Sequence, residues 1–112
     1  MRADLRLFVR RAAEWAQSPV GRGVAEALRG AFADPELKVL IGGLMRARSQ
    51  GPKALLRRAQ RRGELSPRAD LSMALTVVAG ALSQRINVER APVTPGFVRR
   101  LVDLVIDGLA KA

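Results

Sequence analysis

Apolar residues recur at spacings of three and four along the whole chain, which is the period of an amphipathic helix. No stretch alternates between apolar and polar residues as a half-buried strand does. Four X-Pro pairs stand where helices could begin, because Ser, Asp and Thr accept a hydrogen bond from the first turn and proline lacks a donor that would stay unpaired there. These pairs are Ser18-Pro19, Asp34-Pro35, Ser66-Pro67 and Thr94-Pro95. We therefore predict an all-α fold, a bundle of five to six helices forming a single domain over residues 1–112.

Glycine and proline also predict where two helices end. Pro52 follows a helical pattern over 37–45, and proline in a helix interior removes one hydrogen bond and clashes with the preceding turn. The helix is expected to kink or break at Gly51-Pro52. Gly63 follows Arg61 and Arg62, which fits a left-handed glycine after cations at the negative end of a helix.

The last two predicted helices are apolar on more than one face. They begin near Asp70 and Pro95, whereas a surface helix needs an apolar stripe of only about 100°. A chain this short has few other helices to cover the second face, so a second subunit is one plausible cover. The alternative is that both helices form the centre of a monomeric bundle. For the homodimer, the predicted contacts are Leu75, Val78, Leu82, Leu101, Leu104, Val105 and Gly108.

The composition excludes several kinds of chemistry. The 112 residues include no cysteine and no histidine, so there is no disulfide framework, no thiol nucleophile and no imidazole base. Asp103 and Asp107 share a helix face, but Arg99 and Arg100 lie one turn earlier, which favours a solvated, charge-balanced face over a metal or acid pair. We expect no enzyme, no catalytic residue, no metal and no cofactor.

The net charge of +10 is concentrated in one segment. Residues 46–62 carry seven basic side chains and no acidic one, an arrangement that can bind phosphates in a salt-dependent way. The segment has no aromatic residue or asparagine to stack on bases or read them. Direct nucleic-acid contact therefore stays open beside a plain solvated helix face. Its candidate phosphate contacts are Arg57, Arg58, Arg61 and Arg62.

A few large apolar side chains could line a pocket for a small apolar ligand. The commoner role of such residues at helical spacing is to fill the core, and spacing alone does not separate the two cases. The pocket prediction names Trp15, Met45, Leu55, Met73 and Val77.

The segment from Arg61 to Asp70 reads RRGELSPRAD, and the predicted helix that follows it contains Ala74, Gly80 and Arg85. A turn with two prolines comes next. The final helix carries the triplets LVD at 101–103 and DGL at 107–109. This order resembles the C-terminal domain of TetR-type transcriptional regulators. The resemblance implies a homodimer formed through the last two helices and a small apolar effector. It also implies operator DNA binding by a helix-turn-helix domain that is absent from this chain. Separately from the resemblance, no segment looks like a membrane span or a secretion signal, so a cytoplasmic location without membrane contact is the default expectation.

Overall fold

The computed structural model describes residues 1–31 and 33–112. Within these ranges there are six α-helices and no strand, so the predicted all-α fold is confirmed. A single turn of π-helix, Gln84–Val88, follows the fifth helix. The helices are α1 (Arg2–Gln17), α2 (Pro19–Ala31), α3 (Pro35–Arg48), α4 (Gln50–Arg61), α5 (Leu71–Ser83) and α6 (Pro95–Lys111). Phe32, which the sequence pattern assigns to the second helix, lies outside the described residues.

Three of the four X-Pro pairs begin helices as predicted. The side chains of Asp34 and Thr94 accept hydrogen bonds from the backbone N–H groups of Glu36 (3.0 Å) and Phe97 (3.1 Å). The Ser18 hydroxyl oxygen accepts the N–H of Gly21 at 3.1 Å, in the first turn of α2.

Ser66-Pro67, the fourth pair where a helix could begin, does not begin one, and the predicted start near Asp70 is observed instead. The Ser66 side chain accepts the N–H of Arg68 (3.2 Å), and its carbonyl accepts the N–H of Ala69 (3.1 Å), which closes a turn. The helix begins only at Leu71, where Asp70 provides the cap by accepting the N–H of Met73 at 3.0 Å.

Removing the cap of α6 tests how far local capping stabilises the domain. Thr94→Ala removes the acceptor for the Phe97 N–H and is expected to lower the free energy of unfolding by about 1 kcal/mol. Urea denaturation followed by circular dichroism measures the change. Thr94→Ser keeps a hydroxyl acceptor and is the matched control. Equal stability of the alanine and serine variants would contradict the assigned role of the cap.

Both predicted helix ends are observed. The helical pattern breaks before Pro52, because α3 ends at Arg48 and α4 begins at Gln50. Gly63 has a φ of 81°, a left-handed conformation that glycine adopts without steric cost. The N–H of Glu64 then reaches back to the Ala59 carbonyl (3.0 Å), which satisfies one of the free carbonyls at the end of α4.

The hydrophobic core lies between α1, α4, α5 and α6. Each contributes side chains that are less than 10% exposed, and Leu65 of the α4–α5 connection joins them. The fully buried large side chains are Leu5 and Val9 of α1, Leu56 of α4, Val102 and Ile106 of α6, and Leu65.

Helices α5 and α6 run antiparallel. The N–H of Ser66, five residues before α5, donates to the Leu109 carbonyl near the end of α6 at 3.1 Å. At the other end, the Arg85 guanidinium lies 5.0 Å from the ring centre of Phe97, in the first turn of α6. The two helices that the sequence singles out therefore form one hairpin.

Helices α2 and α3 extend away from this core. Ile41 is the buried hydrophobic residue of α3, while Val39 and Leu40 are 72% and 60% exposed. The radius of gyration is 14.8 Å, compared with about 13 Å for a compact domain of this size. The α2–α3 arm explains the difference.

Candidate functional site

The outer side of the α5–α6 hairpin exposes large apolar side chains. Met73 and Val77 of α5 are 58% and 47% exposed, and Leu104 of α6 is 72% exposed. Gly80 lies on the exposed face of α5 and Gly108 on the exposed face of α6. A Cβ atom added at either glycine would meet no heavy atom of another part of the chain within 4 Å. We call these five residues the hairpin outer face. It is the part of α5 and α6 that a second molecule could cover.

The structure divides the seven predicted dimer contacts between two sides of the hairpin. Leu104 and Gly108 are on the outer face, and Leu75 is half-buried against the core. The other four are between 6% and 9% exposed and lie in the core of the protomer itself, so they are not free to contact a second copy: Val78, Leu82, Leu101 and Val105. Because both faces of these helices are apolar, the sequence pattern could not distinguish the inner face from the outer one.

The five predicted pocket residues do not surround a common cavity. Trp15 is partly exposed, with the Arg48 guanidinium 4.4 Å from its ring centre. Met45 is exposed on α3, Leu55 packs against the core, and Met73 and Val77 belong to the hairpin outer face. None of the five lines either of the clefts described next.

One cleft lies where α2 faces the π-helical turn and the loop that follows it. Its volume is about 640 Å³, within the range of roughly 300–1,000 Å³ that is usual for small-molecule sites. A smaller cleft of about 240 Å³ lies between α1 and the start of α6. The residues of the larger cleft are Gln17, Arg22, Glu26, Arg29, Ile86, Asn87, Arg90, Ala91 and Pro92.

Hydrogen bonds from polar side chains hold the segments that line this cleft, whereas the pocket prediction considered only apolar residues. Gln17 stabilises one edge: its amide nitrogen donates to the Ala13 carbonyl (3.1 Å) and its amide oxygen accepts the N–H of Val93 (3.3 Å). The Arg85 side chain donates to the carbonyl of the neighbouring Pro92 at 3.2 Å. These hydrogen bonds hold the loop after the π-helical turn against the end of α1.

Asp103 and Asp107 of α6 form ion pairs with arginines of α1. Arg2 contacts Asp103 at 3.0 Å and Asp107 at 2.6 Å, and Arg6 contacts Asp103 at 2.9 Å. The hydrogen bond from Arg6 has the largest effect on the pKa of Asp103 and lowers it; desolvation opposes this, and the hydrogen bond from Arg2 and the charges of both arginines add to the lowering. No group of three or more potential metal ligands occurs among the described residues. The pair therefore fastens α1 to α6, with different arginines from those the sequence indicated.

These ion pairs predict that the stability of the fold depends on pH. The pKa of Asp103 is lower in the folded chain, so the stabilisation is present above the carboxyl group's ordinary pKa of about 4 and is lost as the pH falls through the folded value. Asp103→Asn is expected to flatten the fall in melting temperature below about pH 4. Differential scanning calorimetry from pH 7 to 2 measures this, with Glu14→Gln on the exposed side of α1 as the control. Parallel profiles for Asp103→Asn and the wild type would contradict the assignment.

The basic residues of α4 are on the surface. Arg57, Arg58 and Arg61 are exposed, and within the described residues none of them forms an ion pair. Arg62, directly after the helix, contacts Glu64 at 2.9 Å. The structure thus leaves three of the four candidate phosphate contacts accessible.

The comparisons with known proteins identify the class of domain. The family model described as "Tetracyclin repressor-like, C-terminal domain" matches residues 1–105, and the chain belongs to this family. Members of this family are regulatory domains of TetR-type proteins. No curated protein and no solved structure matches the chain.

Proposed function

We propose that this chain is the homodimerising, effector-binding regulatory domain of a cytoplasmic TetR-type repressor. In this role it controls operator binding by a helix-turn-helix domain outside residues 1–112. The observation that carries the proposal is the hairpin outer face, with Leu104 at 72% and Met73 at 58% exposure on the last two helices. Family membership supports it, because such regulators typically form homodimers and bind small effectors.

A second copy of the chain suits the hairpin outer face. Exposed large apolar side chains are costly to leave in water, and a two-fold interface covers the same surface on both subunits at once. Gly80 and Gly108 would let the helix backbones of two copies approach closely, since neither carries a side chain that would separate them. Around Leu104, the exposed residues Arg100, Asp107 and Lys111 would form a charged rim of the kind that surrounds the apolar centre of protein interfaces.

A membrane is a less suitable cover for the same helix. Among the described residues, one helical stretch, Leu71–Val88, passes the length and composition criterion for a membrane span, with a mean hydropathy of 1.2 and 17% of it buried. Its inner face packs into the core through Ala74 and Val78, so one side is already covered by protein. Insertion would also bring the charged side chains of α6 into hydrocarbon, which is energetically unfavourable.

Sedimentation equilibrium of the chain tests the proposed dimer. The expected result is a mass twice the 12.1 kDa of a single chain, with dissociation on dilution. Co-sedimentation with anionic phospholipid vesicles is the parallel measurement. A monomer at all concentrations, or binding to vesicles in place of self-association, would contradict the proposal.

The location of the effector site is part of the same proposal. The prediction that Trp15, Met45, Leu55, Met73 and Val77 bind an apolar effector remains a prediction. Trp15 is the sole tryptophan, so its fluorescence reports on that pocket. Quenching or a spectral shift on adding hydrophobic ligands would support the five-residue site. An unchanged spectrum over a broad ligand library would favour the cleft beside α2.

Direct nucleic-acid contact is the second candidate function. It is favoured by the three exposed α4 arginines, Arg57, Arg58 and Arg61, together with the net charge of +10. A salt-titrated DNA-binding assay on the chain alone separates the two candidates. Micromolar affinity that falls steeply with salt supports direct contact through phosphates, and an absence of binding supports the regulatory domain.

A further inference from the structure

We infer that the cleft between α2 and the π-helical turn binds a small organic anion, with a carboxylate or phosphate group held by arginines and an apolar body beside them. This inference rests on the proposed function, since it names the chemical class of the effector. It places the effector at residues different from the five predicted from the sequence. The anionic group is the part of the ligand that the cleft is best equipped to recognise.

The charges of the cleft favour an anion. Arg22, Arg29 and Arg90 line it, and Glu26 is the one carboxylate among its lining residues. Within the described part of the chain, none of these three arginines forms an ion pair. Guanidinium groups present planar pairs of donors that match carboxylate and phosphate oxygens. Like charges collected in one concave site repel each other, and a bound anion would relieve that repulsion.

The backbone beside the cleft is unusual at two adjacent places. Arg90 has a φ of 52°, a left-handed conformation that is uncommon for a residue with a side chain and that costs free energy. The preceding residues, Gln84–Val88, form a π-helical turn, a feature that occurs frequently at functional sites. Together they carry Ile86, Asn87 and Arg90 to the cleft. Strained and irregular backbone at the lining of a cavity is a third observation, independent of charge and volume, that indicates a ligand site.

The remaining lining residues define the rest of the ligand. Ile86, Ala91 and Pro92 provide an apolar wall that a bare inorganic ion would not use. A cleft of about 640 Å³ accommodates a molecule of more than a few heavy atoms. Its concave shape and short apolar wall favour a small molecule over the extended phosphate backbone of a nucleic acid, which binds along open grooves.

Nuclear magnetic resonance titration of the full chain tests the inference, because it reports both the affinity and the location of binding. The probes are hexanoate, hexyl phosphate, the uncharged hexanamide and inorganic phosphate. We expect hexanoate or hexyl phosphate to shift the backbone amides of residues 22–29 and 84–91 with saturation, at least tenfold more tightly than hexanamide or inorganic phosphate. The tighter of the two anions identifies the head group. Equal affinity for hexanamide, or shifts confined to other residues, would overturn the inference.

Two variants and a matched control assign the effect to the arginines. Arg90→Gly removes the charge where glycine fits the left-handed backbone, and Arg22→Gln removes a charge from the opposite wall on α2. Each is expected to weaken binding of the preferred anion at least tenfold, while Arg68→Gln, on the exposed α4–α5 connection, leaves it unchanged. Wild-type affinity in both cleft variants would contradict the inference. A chain that dimerises but binds neither anion refutes the anion site alone, whereas one that binds the anion but stays monomeric refutes the proposed dimer alone.

Discussion

Leu104→Glu is expected to convert the proposed homodimer into folded monomers. Leu104 is 72% exposed in the protomer, so a glutamate there remains solvated when the chain is alone. In a two-fold dimer the substitution would bury a carboxylate on each subunit, and an unpaired buried charge costs several kcal/mol. We expect the dimer dissociation constant to rise at least 100-fold, which corresponds to about 2.7 kcal/mol. Sedimentation equilibrium measures the change, and thermal denaturation checks that the monomer is folded.

Leu40→Glu is the matched control for this substitution. Leu40 is 60% exposed, but it lies on the α2–α3 arm, away from the α5–α6 hairpin. Leu40→Glu should leave the dissociation constant within about twofold of the wild-type value, because a substitution at a solvated surface position has little effect on stability. Dissociation by Leu40→Glu with no effect of Leu104→Glu would assign the interface to α3 and contradict the account.

The choice of position is essential here. The sequence pattern alone would also suggest a charge at Val78. That variant would test the stability of the fold and not the interface, because Val78 is 6% exposed and lies in the protomer's own core. Glutamate there would bury a charge inside one chain and destabilise its fold. Loss of the dimer in that variant would follow from unfolding and would not report on the interface.

Leu56→Ala is expected to produce the largest loss of stability. The Leu56 side chain of α4 is fully buried and packs in the cluster that joins α1, α4, α5 and α6. Truncation removes its transfer free energy and leaves a cavity, which together cost about 3 kcal/mol. For a domain of this size the melting temperature should fall by roughly 10–20 °C. Differential scanning calorimetry measures the fall.

Leu40→Ala is the control for this truncation, since it shortens the same side-chain type at an exposed site. Its melting temperature should remain within about 3 °C of the wild-type value. A loss at Leu56 no larger than that at Leu40 would contradict the assignment of α4 to the core.

The sequence predicted the fold well because its signals are local. The caps at Asp34 and Thr94 act within one turn of their helices, and the left-handed Gly63 ends α4 where expected. Ser66-Pro67 does not begin a helix for a reason that is also local. Two caps compete over a few residues, and the turn closed by Ser66 leaves Asp70 to begin the helix.

The site was predicted less well because it depends on which side of a helix faces inward. An α5 that is apolar all round gives no sequence signal to separate Val78, which is buried, from Val77, which is exposed. The cleft is assembled from α2 and from residues that follow α5, some 60 positions apart in the chain. Neither the packing of distant segments nor the left-handed conformation of Arg90 can be read from residue spacing.

The most direct test of the account is whether the hairpin outer face becomes covered as the chain associates. The chain contains no cysteine, so Leu104→Cys introduces a single thiol whose labelling by a maleimide can be timed, with Leu40→Cys as the reference. Between about 1 µM and about 500 µM protein, mass action should shift the chain from monomer to dimer. The account predicts that labelling at position 104 slows at least tenfold over this range while labelling at position 40 does not change. Labelling at position 104 that is equally fast at both concentrations would contradict it.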